Sequence, residues 1–435
     1  MELKDLDLSI QSLGPAEFPN PLCKYVESDG DRVFIQDETD RINMDIRVNP
    51  SEHKKHLSFE CAGAREKLYF EPGRARAAIV TCGGLCPGLN DVIRSVVRQL
   101  HLWYDVKKVY GIRFGYGGLS RSPEYPPMEL DLESVVSIQQ VGGTILGSAR
   151  GKPDTDEIVD TLLRWKINML FCVGGDGTLR GADEIADEID RRGLKIAVIG
   201  IPKTIDNDVP FVYRSFGYQT AVEEARHVLE CAHVEATGVK HGVGLVKLMG
   251  RDAGYVTASA SLSNGDVNYC IIPEMSVPIH GENGLLAHLR RRLKARNHAL
   301  IAIAEGALQD LLGPSGQTDA SGNKIYNDAG RWLTSEIEKA FSEWGEEVNV
   351  KYFSPSYSIR SVPANGEDRI FCADLGRHAT HAAMAGKTGM LVGFWHGEFT
   401  HVPLKAIYGM KKRVKRDQSL WVSVLTSTGQ PVEWW

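Results

Sequence analysis

The sequence predicts an α/β protein: two doubly wound, Rossmann-like parallel-sheet domains, preceded by an N-terminal accessory segment. Three observations predict it. Short aliphatic runs alternate with amphipathic helical patterns from about Arg76 onward. Each run closes on glycine or proline. The series then begins again after about residue 218, and 435 residues are enough to build two cores.

"RAAIVTCGG" (76–84) reads as the first buried strand. "LNDVIRSVVRQLH" (89–101) places apolar residues at 89, 92, 93, 96, 97 and 100, which is one face of a helix. Further strands are "KKVYGIRFG" (107–115), "INMLFCVGGDG" (167–177) and "LKIAVIGIPK" (194–203), with helices over "DEIVDTLLRWK" (156–166) and "LRGADEIADEIDRRG" (179–193). After the helical "QTAVEEARHVLECA" (219–232), the second series has strands "HGVGLVKLMG" (241–250), "VNYCIIPE" (267–274) and "HALIAIAEG" (298–306). "GENGLLAHLRRRLKARN" (281–297) is a helix between the last two, and "LLGPSGQTDASGNKIYND" (311–328) reads as an exposed excursion. Residues 1 to about 70 lack this regularity, and "DRVFIQDETDRINMDIRV" (31–48) reads as a hairpin.

With 43% apolar residues, 24% charged residues and a formal charge of −6, the chain is an ordinary globular protein and no general nucleic-acid binder. No apolar run is long enough to span a bilayer, so no membrane partner is expected. The eight cysteines lack the ligand spacing of a zinc site and read as buried, reduced thiols of a cytoplasmic protein.

Ligands of a doubly wound sheet bind beyond the C-terminal ends of its strands. Four unusual segments fall there: Gly83-Gly84, Gly174 to Thr178, Lys203 to Asp208, and Met249 to Arg251. In "VGGDGTLRGAD" the glycines allow a polyphosphate close to the backbone at a helix start, with Asp176 holding its magnesium; a tight turn capped by Asp176 is the plainer alternative. "TCGGLCPGLN" repeats the device, with Asn90 as a cap for the next helix, and "GGTILGSARG" adds Arg150, which could reach a phosphate or be a surface charge. In "PKTIDND" an extended backbone would turn Thr204, Asp206 and Asp208 one way and Lys203, Ile205 and Asn207 the other. A hydroxyl and two carboxylates on one side suit proton abstraction from an alcohol, whereas an Asx turn is the structural alternative. Arg251, Glu305, Lys351, Tyr357 and Arg360 together are the equipment for a sugar phosphate, though each alone reads as a surface partner.

"GGLCPGLN", "GGTILGSARG", "GGDGT", "PKTIDND", "KLMGRDAG", "AEG" and "PSYSIR" occur in the order and spacing of the 6-phosphofructokinase family, which the chain resembles from about residue 74 to near 410. It looks closest to the ATP-dependent branch of trypanosomatids and plants. The resemblance implies an accessory segment over 1–73 and a nucleotide-binding domain over 74–217, completed by about 359–405. It also implies a fructose 6-phosphate-binding domain over 218–358, completed by about 406–435, with the active site between the two domains. It implies Asp206 as general base toward the 1-hydroxyl of fructose 6-phosphate, assisted by Thr204 and Asp208 in positioning the phosphoryl group and magnesium. Gly83, Arg150, Gly151, Gly175, Asp176, Gly177 and Thr178 would hold ATP, with Asp176 at the Mg2+ ion. Lys203, Met249, Gly250, Arg251 and Glu305 would hold the sugar and the reacting end, with Arg251 among the catalytic groups. Tyr357, Arg360 and Lys351 would grip the 6-phosphate.

A further 6-phosphate arginine of bacterial relatives falls at Gly242, where Lys240 or His241 could substitute; that arginine and the counterpart of Lys351 come from a neighbouring subunit in those enzymes. Family likeness also implies a homo-oligomer, a tetramer or dimer. Gly177 leaves room for the α-phosphate of ATP where pyrophosphate users carry aspartate, while Lys203 points toward pyrophosphate. The alternatives are thus a pyrophosphate-dependent phosphotransferase, a kinase for NAD or a lipid sharing GGDGT, or a non-catalytic sensor.

Overall fold

The computed structural model describes residues 6–26, 33–46, 57–313, 315–316 and 326–434. The chain divides into two compact units. The first comprises 1–204, 209–217 and 362–410, and the second 205–208, 218–361 and 411–435.

A nine-stranded sheet organises the first unit, in the order 41–43, 58–61, 398–403, 390–395, 197–202, 169–174, 76–81, 108–112, 128–130. The five strands from Met390–Trp395 to Lys108–Ile112 run parallel, and the outer strands join antiparallel. Met169–Gly174 and Ala197–Pro202 are buried at every position. That is why they read as unbroken apolar runs: helices cover both faces. Ala78, Val80, Leu170, Cys172 and Val198 point to one face, packing with Ile158, Leu162, Leu179, Ile185 and Ile189 of helices Thr155–Arg164 and Asp176–Arg191. Helix Leu89–Tyr104 buries Leu89, Val92, Ile93, Val96, Val97 and Leu100, the face its periodicity predicts, and packs beside helix Gly366–Met384.

In the second unit four parallel strands lie in the order Tyr269–Ile271, His298–Ala304, Gly242–Leu248, Asn349–Phe353. Alternate residues again feed two cores. Val246, Leu248, Cys270, Leu300 and Ala302 pack with helices Tyr218–Thr237 and Tyr255–Asn264. Val243, Leu245, Ile271, Ile301 and Ile303 pack with helices Leu285–Arg296 and Ala329–Glu343. Both units are therefore doubly wound.

Several expectations need correction. No hairpin forms within the described part of 31–48: Arg41–Asn43 pairs with Ser58–Cys61, and Ile35 bridges to Ala64. Residues 31, 32, 47 and 48 lie outside the described residues, as do 314 and 317–325 of the expected excursion. Ser58–Cys61 extends the large sheet through Glu398–Pro403. Beneath that junction the buried Glu60 carboxylate meets Arg65 at 3.0 Å, His401 at 2.9 Å and Lys387 at 3.1 Å. Burial pushes this carboxyl up, but His401 and Lys387 outweigh it and hold it well below the usual range. Asn90 caps no helix. Gly88 occupies that position, and Asn90 is buried, donating to the carbonyls of Ile138 and Val141 and accepting from the Ile145 amide. None of the eight cysteines is in a disulfide, but Cys231 is exposed and Cys23 only partly covered.

Candidate active site

The parallel strands of the first unit follow the order 2-1-3-4-5 from Lys108–Ile112 inward, so the connection reverses between Arg76–Thr81 and Met169–Gly174. Loops at such a switch point leave a crevice beyond the strand ends. Gly83, at φ +85°, leads the first loop. Its amide donates to Ala149 at 3.0 Å, and Ser148 Oγ donates to its carbonyl at 2.6 Å, which stitches "GGTILGSARG" alongside "TCGG". Arg150 and Gly151 are exposed just beyond that seam. The second loop enters helix Asp176–Arg191 with Gly175 at its N-cap, so Asp176, Gly177 and Thr178 form the first helical turn. Gly174 must be glycine, since an added Cβ would lie 2.1 Å from Thr178 Oγ1; a Cβ on Gly177 would meet nothing within 4 Å.

Lys203 is buried, and its ammonium donates to the Gly84 carbonyl at 2.7 Å, while its amide donates to Gly174 at 2.9 Å. It thus ties the two glycine loops together. Gly83 is linked to Ala149 and Lys203 to Gly174 by main-chain bonds, and the Lys203 ammonium adds a bond to Gly84.

The extended alternation expected of "PKTIDND" is not found. The strand ends at Pro202, the chain turns at Ile205-Asp206, and Asn207 takes a left-handed conformation at φ +55°, which asparagine tolerates. Thr204 belongs to the first unit, where its carbonyl accepts from Ser215 Oγ at 2.5 Å. Asp206 and Asp208 belong to the second.

Within the second unit, Asp206 Oδ2 accepts the Arg251 amide at 3.2 Å, while Oδ1 is buried without a hydrogen-bond partner. Burial pushes the Asp206 carboxyl well up, and the neighbouring charges of Asp208 and Glu305 push it further. Glu305 follows strand His298–Ala304 and is held beside Arg251 by the backbone: its amide donates to Leu248 at 2.9 Å, and that of Gly306 to Gly250 at 3.0 Å. An added Cβ on Gly306 would fall 1.7 Å from the Arg251 carbonyl oxygen. Burial raises the Glu305 carboxyl, against the charges of Lys247, Arg251 and Arg360. Arg360, at the end of helix Ser356–Arg360, lies over the Tyr357 ring at 4.5 Å, and its Nε is a buried donor without a hydrogen-bond partner. Tyr357 is 75% exposed, whereas Met249 is core.

Lys351 does not join this group. It pairs with Gly244, which at about 3.3 Å per residue is ~16 Å down the strand from Met249. Lys240 and His241 precede strand Gly242–Leu248 and sit at its opposite end.

The sequence reading missed Asp252, Tyr326, Lys411 and Lys412. Tyr326 lies under Arg251 at 5.0 Å and donates its hydroxyl to Asp252 Oδ1 at 3.2 Å. Lys411 Nζ stands 3.5 Å from Asp252 Oδ2 and 3.8 Å from Asp208 Oδ2. Lys412 donates its amide to the Asp208 carbonyl at 3.1 Å and places its ammonium over Tyr255 at 5.0 Å. Burial pulls that ammonium down to about 7, partly offset by Asp208. "MKKRVKR" looks like a solvated basic run, and only a rule for cations near the acidic turn would have flagged it.

Glycine loops at a switch point, and carboxylates interleaved with arginines at the ends of a second parallel sheet, define an α/β protein equipped for phosphate chemistry. A sequence profile described as Phosphofructokinase matches residues 76–383, and the chain belongs to that family. It is 47% identical over 439 residues to an ATP-dependent 6-phosphofructokinase of Borreliella burgdorferi, covering 99% of this chain and 98% of that one. It is 42% identical to the ATP-dependent 6-phosphofructokinase of Trypanosoma cruzi, covering 97% and 88%. Among solved structures, a pyrophosphate-dependent phosphofructokinase of Marinobacter aquaeolei superposes with a TM-score of 0.67 at 20% identity, covering 81% of this chain and 91% of that one; it shares the fold.

Proposed function

We propose that this chain transfers the γ-phosphoryl group of ATP to the 1-hydroxyl of fructose 6-phosphate, giving fructose 1,6-bisphosphate and ADP. The observation that carries the reading is Asp206. One carboxylate oxygen is fixed by the Arg251 amide, and the other is buried without a hydrogen-bond partner, which leaves an acceptor for a proton. A raised carboxyl is a better base than an ordinary one, so its environment suits abstraction from an alcohol. The acceptor hydroxyl gives its proton to Asp206 Oδ1 as its oxygen forms the new bond to phosphorus, and ADP leaves. Arg251 and Arg360 supply positive charge around the sugar phosphate, and Glu305 accepts from its hydroxyls. Gly83, Arg150, Gly151, Gly175, Gly177 and Thr178 hold the nucleotide by backbone and charge.

Magnesium would come with the nucleotide. Among the described residues no group of three or more His, Cys, Asp or Glu side chains is arranged to hold a metal. An ion bound mainly through phosphates needs only one or two carboxylates, here Asp176. When bound it neutralises charge on the transferring phosphate.

ATP is favoured as donor because Gly177 opens into free space at the first turn of its helix. The relatives at 42–47% identity also carry ATP-dependent names. Pyrophosphate is the second reading, favoured by Lys203, whose ammonium also donates to the Gly84 carbonyl. We further infer a cytoplasmic homo-oligomer: cysteines without disulfides suit that compartment, and closed assemblies are the general rule for such enzymes. No helix among the described residues is long and apolar enough to cross a membrane.

One coupled assay tests the reading: fructose 6-phosphate with either ATP or pyrophosphate. Turnover with ATP is expected. Turnover confined to pyrophosphate reverses the donor, and none with either defeats the proposal.

A further inference from the structure

Four carboxylates, Asp206, Asp208, Asp252 and Glu305, crowd one end of the second unit, and the proposed reaction would add phosphate charge to them. Mutual repulsion at such range is substantial in a partly desolvated site. A cation is therefore expected among them, and the structure supplies one that the sequence hides.

We propose that Lys411 is a positioning residue for the phosphoryl transfer: its ammonium holds Asp208 and Asp252 in place and, through Asp252 and Tyr326, sets the orientation of Arg251. The inference rests on the function proposed above. Lys411 Nζ lies 3.8 Å from Asp208 Oδ2 and 3.5 Å from Asp252 Oδ2. Both separations exceed an ordinary hydrogen bond, so the ammonium acts as a shared charge between two carboxylates. Asp252 passes the constraint on, accepting from the Tyr326 hydroxyl at 3.2 Å, and the Tyr326 ring lies against the Arg251 guanidinium at 5.0 Å.

A lysine 37% exposed would ordinarily be a weak surface partner. The backbone around this one argues otherwise, because three consecutive residues after it are pinned. The Lys412 amide donates to the Asp208 carbonyl at 3.1 Å. The Arg413 carbonyl accepts from the Tyr255 hydroxyl at 2.9 Å. The Val414 amide donates to Glu274 Oε1 at 2.9 Å. The Glu274 carboxylate also accepts the Gly254 amide at 3.0 and 3.1 Å, so one side chain fastens both the segment carrying Lys411 and the turn carrying Arg251 and Asp252. Rigid support of this kind is what a positioning residue requires.

The test measures kcat and KM with ATP and fructose 6-phosphate for the wild type, Lys411→Met, Lys411→Arg and Lys411→Met/Asp252→Asn. Misplacement of reacting groups by an ångström lowers turnover by about 100-fold. We therefore expect Lys411→Met to lower kcat by about 10- to 100-fold, with KM for fructose 6-phosphate within about threefold of wild type. Lys411→Arg should restore most of the loss, and the double variant should recover part of it because one repelling carboxylate is gone. An inactive wild type would defeat the proposed function itself. An active wild type with normal kcat in Lys411→Met overturns the role of Lys411. So does a loss that neither Lys411→Arg nor the double variant relieves, or one matched by an equal fall in melting temperature.

Discussion

In the first unit, strands ending at Thr81, Gly174 and Pro202 run into glycines and a buried lysine, and the loops are tied to one another by main-chain bonds. In the second, strands ending at Leu248 and Ala304 run into Arg251, Asp252 and Glu305; main-chain bonds join these loops too, but charged side chains crowd them. The same parallel plan thus presents backbone in one unit and ionisable groups in the other. Parallel sheets provide the address and residue type assigns the task. Amides and open backbone suit a chain of phosphates. Raised carboxylates flanked by guanidinium groups suit proton removal and a sugar phosphate.

The contrast can be broken most severely at Asp206. Asp206→Asn should lower kcat by ~10²–10⁴, the usual worth of a general base, while leaving the melting temperature near that of wild type. Since burial and the charges of Asp208 and Glu305 raise this carboxyl, the acid limb of the wild-type kcat profile should lie above the range of an ordinary carboxylate. A limb near pH 4, or near-normal turnover in the variant, would remove Asp206 from the role.

Two glycines of the first unit should respond in opposite ways. Gly174→Ala drives a Cβ into Thr178 and should lose about 1–3 kcal/mol in denaturant unfolding. Gly177→Asp adds its side chain into open space, so stability should hold. ATP-dependent kcat/KM should nevertheless fall by roughly tenfold or more, and KM for fructose 6-phosphate should change little. Equal stability losses, or unchanged ATP kinetics, would mean the loop is a turn and no more.

The last test concerns acid stability, to which a buried histidine cluster of the first unit contributes. Burial, aided by the Arg377 charge, lowers His378 to about 2 and His381 to about 3. Above pH 6.5 both are neutral folded or unfolded. Below it the unfolded chain takes up protons first, so stability falls with pH until about pH 3. His378 already stacks on Phe399 at 4.6 Å, and His378→Phe should keep that packing and flatten the acid limb by about one histidine's share. An unaltered slope of melting temperature between pH 6 and 4 would exclude it.

How much of this was legible depended on range along the chain. Strands such as Met169–Gly174 announced themselves because burial on both faces demands continuous apolar residues, and the glycines closing them marked the loops. Asp206 stood out by local composition. The extended form of "PKTIDND" misread a turn, since the left-handed Asn207 has no signature in a pattern of alternation. Asn90 looked like a cap because cap chemistry is local, whereas its actual partners lie about fifty residues away at Ile138, Val141 and Ile145. Lys411 was invisible for the same reason, magnified: its partners lie some 160 and 200 residues earlier.

That separation bears on synthesis. Glu274 waits for the Val414 amide, and Asp208 for the amide of Lys412. Both carboxyl-bearing turns are translated long before the segment that fastens them. A nascent chain can fold the first unit's early strands yet lack a complete acceptor cluster until translation has passed Val414. The turns carrying Asp208 and Glu274 therefore take their final fastening only after that later segment has been made.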